Sequence, residues 1–278
     1  MNNLLYNTFS MKVGVYFNDK YFSDDNRLIE KICKEFSDCS CRVVVDASDL
    51  QGLEVLFVLG GDGTILGLAA ECAKSGVKII GVNYGHMGFL AEFEPEKTDE
   101  AIALVKSGKY LVQKRSMLEI NCGGSTYYAL NDLVVQRSTS GENFRNTVNL
   151  RAEIDGSIVD NFSSDGIIVS TPTGSTAYSL SAGGSVLTPD IEAFILTPIC
   201  AHSLHSRPIV FGNKSTLLIS PIDRGAPLEL IVDGKAVGTM SNSQNIIVNK
   251  SQFTVDFITK DDKNFFKKLL IKLNIWSK

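Results

Sequence analysis

Gly60-Gly61-Asp62-Gly63-Thr64 stands between Leu53-Glu54-Val55-Leu56-Phe57-Val58-Leu59 and a segment with Ile65, Leu66, Leu68, Ala69, Cys72 and Ala73. The first flank is an almost continuous apolar run of strand length, and the second sets its apolar residues at helical spacing. The five residues are therefore a strand-to-helix turn. Three glycines in four positions let the backbone turn tightly and come close to a ligand. Thr64 is expected to cap the helix, whose first amides and dipole favour an anion such as phosphate. Asp62 stands in the middle of that anion site. Phosphates repel a bare carboxylate, unless it takes a proton from a hydroxyl nucleophile or faces a metal ion. The combination points to phosphoryl transfer. Asp-Gly is also a common turn pair, and glycine-rich strand-to-helix turns occur in many α/β proteins without chemistry.

Around this turn, strands and helices alternate. Lys12 to Phe17 reads as a strand, and Asn26 to Phe36 as a helix with Leu28, Ile29, Ile32, Cys33 and Phe36 on one side. Arg42 to Val45 and Val77 to Val82 read as further strands, and Thr98 to Ser107 as a helix closed by Gly108. That succession predicts a Rossmann-like parallel sheet covered by helices, an α/β lobe over residues 1–115. Met11 reads as a start, with Met1–Ser10 a frayed extension.

From about Lys114 the pattern changes to successive strands with short turns. Three hairpins are predicted: Thr147 to Phe162 around Asp155-Gly156, Pro208 to Ser220 around Gly212-Asn213, and Leu228 onward around Asp233-Gly234. Residues 116–260 are expected to form an all-β lobe, a β-sandwich, interrupted by a short helical insertion within Ser170 to Gly184. In the tail, residues 261–278, Phe265, Phe266, Leu269, Leu270 and Leu273 fall at helical spacing, with Lys267, Lys268 and Lys272 mostly opposite. The expectation is a helix that packs its apolar side on the protein.

The chain of 278 residues carries a formal net charge of −4, which argues against broad binding to nucleic acid or an anionic membrane. A small polyanion remains compatible, because a local cluster or Mg²⁺ reverses the local field. No apolar run reaches the length of a membrane span. None of the 6 cysteines falls in a C-x-x-C pair, as expected of scattered thiols in a reducing cytoplasm.

Three further segments carry chemistry. Gly81 to Leu90 follows a strand and is expected on the same sheet edge as the Gly60 turn, with Asn83 and the backbone, more than His86, facing a ligand. Asn131-Asp132 breaks the apolar strand Ala129 to Val135 with a carboxamide and a carboxylate, which suits a sugar or a base edge. Asp165 to Gly184 runs a strand into a hydroxyl-rich turn that opens a short helix, with Thr173, Ser175 and Thr176 as expected caps. Buried hydroxyls need partners, and a polar ligand supplies them.

These segments, in this order, resemble the NAD kinases of the bacterial type. Pro198-Ile199-Cys200-Ala201-His202-Ser203-Leu204 and Arg207-Pro208 extend the resemblance, which covers nearly the whole chain from about Met11. Gly-Gly-Asp-Gly-Thr alone is weak, since lipid kinases and phosphofructokinases carry near copies, whereas Thr171 to Gly184 is specific. The resemblance implies transfer of a phosphoryl group from ATP, or in some members polyphosphate, to the 2′-hydroxyl of the adenosine ribose of NAD, giving NADP. It implies Asp62 as general base, with Gly63 letting the ribose approach. Asn131 and Asp132 would bind the adenosine part, and Thr176, Ala177, Tyr178 and Ser181 would line the dinucleotide site. Asp165 would face the nicotinamide end, and Asp233 matches a family aspartate near the site. Mg²⁺ is expected on the donor's phosphates without a dedicated protein metal site, and a homodimer or homotetramer is expected. Ser163 and Ser164 stand where some members carry Arg or His. The loop Gln136 to Asn146 is long, and the sequence assigns no role to Arg137 or Arg145. The rival readings are a diacylglycerol-kinase type lipid kinase and a non-catalytic dinucleotide-sensing protein.

Overall fold

The computed structural model describes residues 11–18, 27–37, 41–85, 88–138, 147–203, 205–222, 228–241, 243–261 and 265–276. The readings of Met1–Ser10, His86, Arg145 and Leu204 lie outside those residues, as does the loop beyond Ser138. In chain order the elements are β1 (Val13–Phe17), α1 (Arg27–Glu35), β2 (Arg42–Val43), β3 (Val55–Gly60), α2 (Asp62–Ser75), β4 (Lys78–Asn83), α3 (Thr98–Ser107), β5 (Leu111–Cys122) and β6 (Ser125–Ala129). There follow β7 (Asp132–Arg137), β8 (Val148–Ile154), β9 (Ser157–Ser164), β10 (Gly166–Ser170), α4 (Tyr178–Ser181), β11 (Ala193–Ile199), β12 (Ile209–Gly212), β13 (Leu217–Pro221), β14 (Leu228–Val232), β15 (Lys235–Met240), β16 (Ile246–Thr259) and α5 (Phe265–Trp276). They form two compact units, Met1–Gln113 with Val255–Lys278, and Lys114–Thr254.

In the first unit the strands run parallel in the order β2-β1-β3-β4, and β4 takes the end of β16 in parallel at Phe257↔Ile79. Val13, Val15, Phe57, Leu59 and Ile80 are buried with Ile32 of α1 and Val105 of α3, so a parallel sheet shares its core with its helices. After β2 the chain returns to the far side of β1 to make β3. The carboxyl ends of strands beside such a reversal are where open α/β sheets bind ligands. Gly60 and Asn83 pair across β3 and β4 at those ends, so the glycine-rich turn and the Asn83 loop share one sheet edge.

The second unit is a β-sandwich. One antiparallel sheet runs β12-β11-β10-β7-β14-β15. The other holds β9-β8-β13 and the first part of β16, with the β5–β6 hairpin joined to β16. Leu133, Ile167 and Phe194 from one sheet meet Leu150, Phe162 and Ile219 from the other in a single core.

Outside the loop after β10, local readings differ from the structure in four main places. The helix after Gly60 starts at Asp62, with Gly61 extended as its cap and no side-chain cap bond, so Thr64 is not the cap. Thr64 sits in the first turn, and its Oγ1 accepts from Asn18 Nδ2 at 3.3 Å. The hairpin around Gly212-Asn213 does not form: β12 pairs with β11 in one sheet, and β13 pairs with β8 and β16 in the other. The chain crosses the sandwich there, a choice that a local turn signal does not encode. The Ala129 to Val135 run is two strands, with Asn131 in the turn between β6 and β7 and Asp132 opening β7. Finally, the buried face of α5 is rotated from the expected one: Phe265 and Leu269 stay half-buried, but Lys268 and Lys272 join them. Phe266 and Leu270 are 66% and 61% exposed, whereas the Lys268 and Lys272 side chains are 22% and 15% exposed.

Candidate active site

The first unit places Asp62 at the start of α2, a 14-residue helix whose first amides have no intrahelical acceptors. The carboxylate is aimed by the loop after β4. Phe89 N–H donates to Asp62 Oδ2 at 2.7 Å and Leu90 N–H to Oδ1 at 3.1 Å. Gly88 permits this, because a Cβ there would overlap the carboxylate. Gly63 has open space where a Cβ would stand. Asn83 is buried, and its Oδ1 accepts from Gly85 N–H at 3.2 Å, shaping the loop that carries Phe89. The Lys272 ammonium lies 3.8 Å from Asp62 Oδ2 and 4.2 Å from the centroid of the Phe89 ring. Burial holds the Lys272 ammonium below its ordinary pKa, against the pull of Asp62.

The second unit gathers most of the other predicted residues around one turn. Asp233 occupies a left-handed position, φ 47°, in the Asp233-Gly234 hairpin between β14 and β15. Its carboxylate accepts from Leu130, Asn131 and Asp132 N–H at 2.8, 2.7 and 3.1 Å. Asp233 is thus both a turn residue and the clamp that shapes the Asn131-Asp132 turn. Asp132 is buried; desolvation, then the neighbouring Asp233 charge, push its carboxyl up to about 7. Burial also raises Asp233, but its three backbone donors oppose the shift. The Asp132 carboxyl is therefore brought into the neutral range, where it carries a proton part of the time.

The loop after β10 is stitched to the same turn. Thr171 N–H donates to Asn131 O at 2.9 Å, and Thr171 Oγ1 to Leu130 O at 2.5 Å. Gly174 must be glycine, because a Cβ would overlap the Asn131 carbonyl. The expected caps do not cap. Thr173 makes no side-chain cap bond, Thr176 Oγ1 donates to Thr173 O, and Ser175 Oγ donates to Pro172 O and accepts from Leu187 N–H. These hydroxyls satisfy the loop's own backbone, and α4 is only 4 residues long. Tyr178 and Ser181 are exposed beside this loop, and Ala177 is half-buried between the buried Thr176 and Tyr178.

Asp165 lies apart from the Asn131 turn, at the head of β10. Arg137 Nη2 is 3.4 Å from its Oδ1, which gives Arg137 a partner that the sequence did not suggest. Sequence reasoning also missed Arg115, a buried β5 residue whose Nη1 donates to Thr173 Oγ1 at 3.4 Å. It missed Lys272 and the Phe89 and Leu90 amides too. Gly88 was the one available signal for those amides, since a loop glycine often marks a close approach.

With this geometry in hand, comparison with known proteins is specific. The ATP-NAD kinase N-terminal domain matches residues 4–110, and the ATP-NAD kinase C-terminal domain matches residues 130–260. The NAD kinase of Clostridium botulinum (strain Kyoto / Type A2) is 36% identical over 278 residues, covering 96% of this chain and 97% of that protein. Yeast NADH kinase, solved in complex with NADH, superposes with a TM-score of 0.85 at 22% identity, covering 96% of this chain and 88% of that one. An NAD kinase from Archaeoglobus fulgidus, solved in complex with ATP, gives 0.76 at 24% identity, over 95% and 99%. The chain belongs to the NAD kinase family.

Proposed function

We propose that this protein is an enzyme that transfers the γ-phosphoryl group of ATP to the 2′-hydroxyl of the adenosine ribose of NAD, giving NADP and ADP. The observation that carries the reading is the Asp62 carboxylate, fixed at the head of α2 by the Phe89 and Leu90 amides. In the reaction the 2′-oxygen attacks the γ-phosphorus while its proton passes to Asp62. The bond from that phosphorus to the β,γ-bridging oxygen breaks, and ADP leaves with the electron pair. The open space at Gly63 admits the ribose. The first amides of α2 face charge developing on the transferred group.

In the second unit, Asn131 and Asp132 hold the adenosine, with the Asp132 carboxyl able to donate as well as accept near neutral pH. Thr173, Thr176, Ala177, Tyr178 and Ser181 line the dinucleotide over the fully buried Ser175, which holds their loop together, Asp165 meets its nicotinamide end, and Asp233 holds the Asn131 turn in shape. Mg²⁺ enters as part of the donor and neutralises its phosphates. Among the described residues no group of three or more His, Cys, Asp or Glu could hold a metal ion. Polyphosphate is the second donor to try. The reading includes a cytosolic homodimer or homotetramer. Cys33, Cys41, Cys72, Cys122 and Cys200 are free thiols, which suits a reducing compartment.

The test is to incubate the purified protein with ATP, Mg²⁺ and NAD and follow NADP with an NADP-specific dehydrogenase. NADP and ADP should appear in equal amounts. ATP consumed with no NADP formed would overturn the reading, and consumption that depends on added diacylglycerol would return the lipid-kinase alternative.

A further inference from the structure

Within the first unit, helix α5 turns Lys268 and Lys272 inward together with Phe265. Phe265, Lys268 and Lys272 lie on one face at spacings of three and four residues. The Phe265 ring meets Phe89 at 6.0 Å between centroids. Lys268 Nζ donates to Ala91 O at 3.2 Å and to Glu92 Oε2 at 3.0 Å. Lys272, one turn further, reaches Asp62 across the Phe89 ring. Holding an ammonium with only 15% of its side chain exposed is unfavourable unless a charge meets it. Here the charge that meets it is the proposed base.

We propose that Lys272 is a positioning residue for Asp62: its ammonium and the Phe89 and Leu90 amides together hold the carboxylate in one place and one orientation. The inference rests on the kinase reading for its catalytic meaning, but its physical content does not. A base must be still to take the proton of one particular hydroxyl. Among the described residues, Asp62 on α2 and Lys268 on α5 itself are charged groups set against the Lys272 ammonium. Lys268 is itself matched by Glu92 of the neighbouring loop. Removing Lys272 therefore removes a cation held beside Asp62, whereas removing Lys268 loosens the helix and leaves that cation in place.

The experiment follows the ¹³C signal of the Asp62 side-chain carboxyl at neutral pH in aspartate-labelled protein, with the signal identified by its loss in Asp62→Asn. It compares the parent with Lys272→Met, Lys272→Arg and Lys268→Met, using Lys272→Gln should the methionine variant not fold. The same proteins are assayed for kcat and KM in NADP formation. In Lys272→Met the Asp62 signal should shift and broaden, and kcat should fall about tenfold while KM for NAD stays within about threefold. Lys272→Arg should restore most of both, and Lys268→Met should move neither. An Asp62 signal unchanged in Lys272→Met, or moved equally in Lys268→Met, would overturn the proposal and leave Lys272 as a helix anchor. If the signal shifts as expected while the parent forms no NADP, the kinase reading fails and the Lys272–Asp62 coupling stands.

Discussion

Two carboxylates carry opposite demands. Asp62, as the proposed base, must be reachable and aimed, and it is held by two amides and an ammonium. Asp62→Asn keeps the size and removes the basicity, so it should lower turnover by roughly 10²- to 10⁴-fold while calorimetry finds NAD binding nearly unchanged. Turnover within a few-fold of the parent would remove Asp62 from the role of base. Asp132 is buried instead, and its raised pKa of about 7 fixes a sign. The folded protein holds that proton more tightly than the unfolded chain. This group's contribution to stability is therefore greatest below the unfolded pKa and declines as pH rises from about 4 to about 7. Asp132→Asn removes the decline. Compared with the parent it should gain about 1–3 kcal/mol more at pH 7.5 than at pH 4.5, read from urea midpoints. An equal difference at both pH values would contradict the raised pKa. The sequence revealed Asp62 as a carboxylate inside a glycine-rich turn, and Asp132 as a polar interruption of an apolar run. It did not reveal the Asp233 clamp, because the amides it binds lie about a hundred residues away in the chain.

Elements written in local code were legible. The apolar β3, the periodic α1 and α3, and the hairpins at Asp155-Gly156 and Asp233-Gly234 each carry their own periodicity or turn residues. Elements decided by distant partners were not. Gly212-Asn213 looks like a hairpin turn, yet β12 and β13 go to different sheets because each finds its partners elsewhere. The lysines of α5 look like a solvent face, but their apolar stems tolerate burial while Glu92 and Asp62 meet their charges. The loop after β10 read as a capped helix start; its short helix forms, but the hydroxyls bond the loop's own backbone instead of capping it, and Tyr178 is left exposed. If that ring stacks on the dinucleotide, Tyr178→Ala should raise KM for NAD by about five- to a hundredfold, the equivalent of roughly 1–3 kcal/mol of lost stacking. KM for ATP should change little. Equal effects on both substrates would contradict the assignment.

At the scale of the whole molecule, the α/β unit and the sandwich each follow from hydrophobic pattern. The succession of strands and helices gives the parallel sheet, and the alternating strands with Asp-Gly turns give the antiparallel ones. Function was legible only in the ordered set of segments, since the glycine-rich turn alone is shared by other kinases. The central claim is that Asp62 removes the proton of one particular hydroxyl. A base on a rigid turn must lie within hydrogen-bond reach of its proton, so it serves one position of the ribose. The most direct measurement is mass spectrometry of the dinucleotide after incubation of the protein with MgATP and either NAD or its analogue lacking the adenosine 2′-hydroxyl. NAD should gain one phosphoryl group at the 2′-oxygen, and the deoxy analogue should gain none even where it binds. Phosphorylation of the deoxy analogue at a rate comparable to that of NAD would contradict the account.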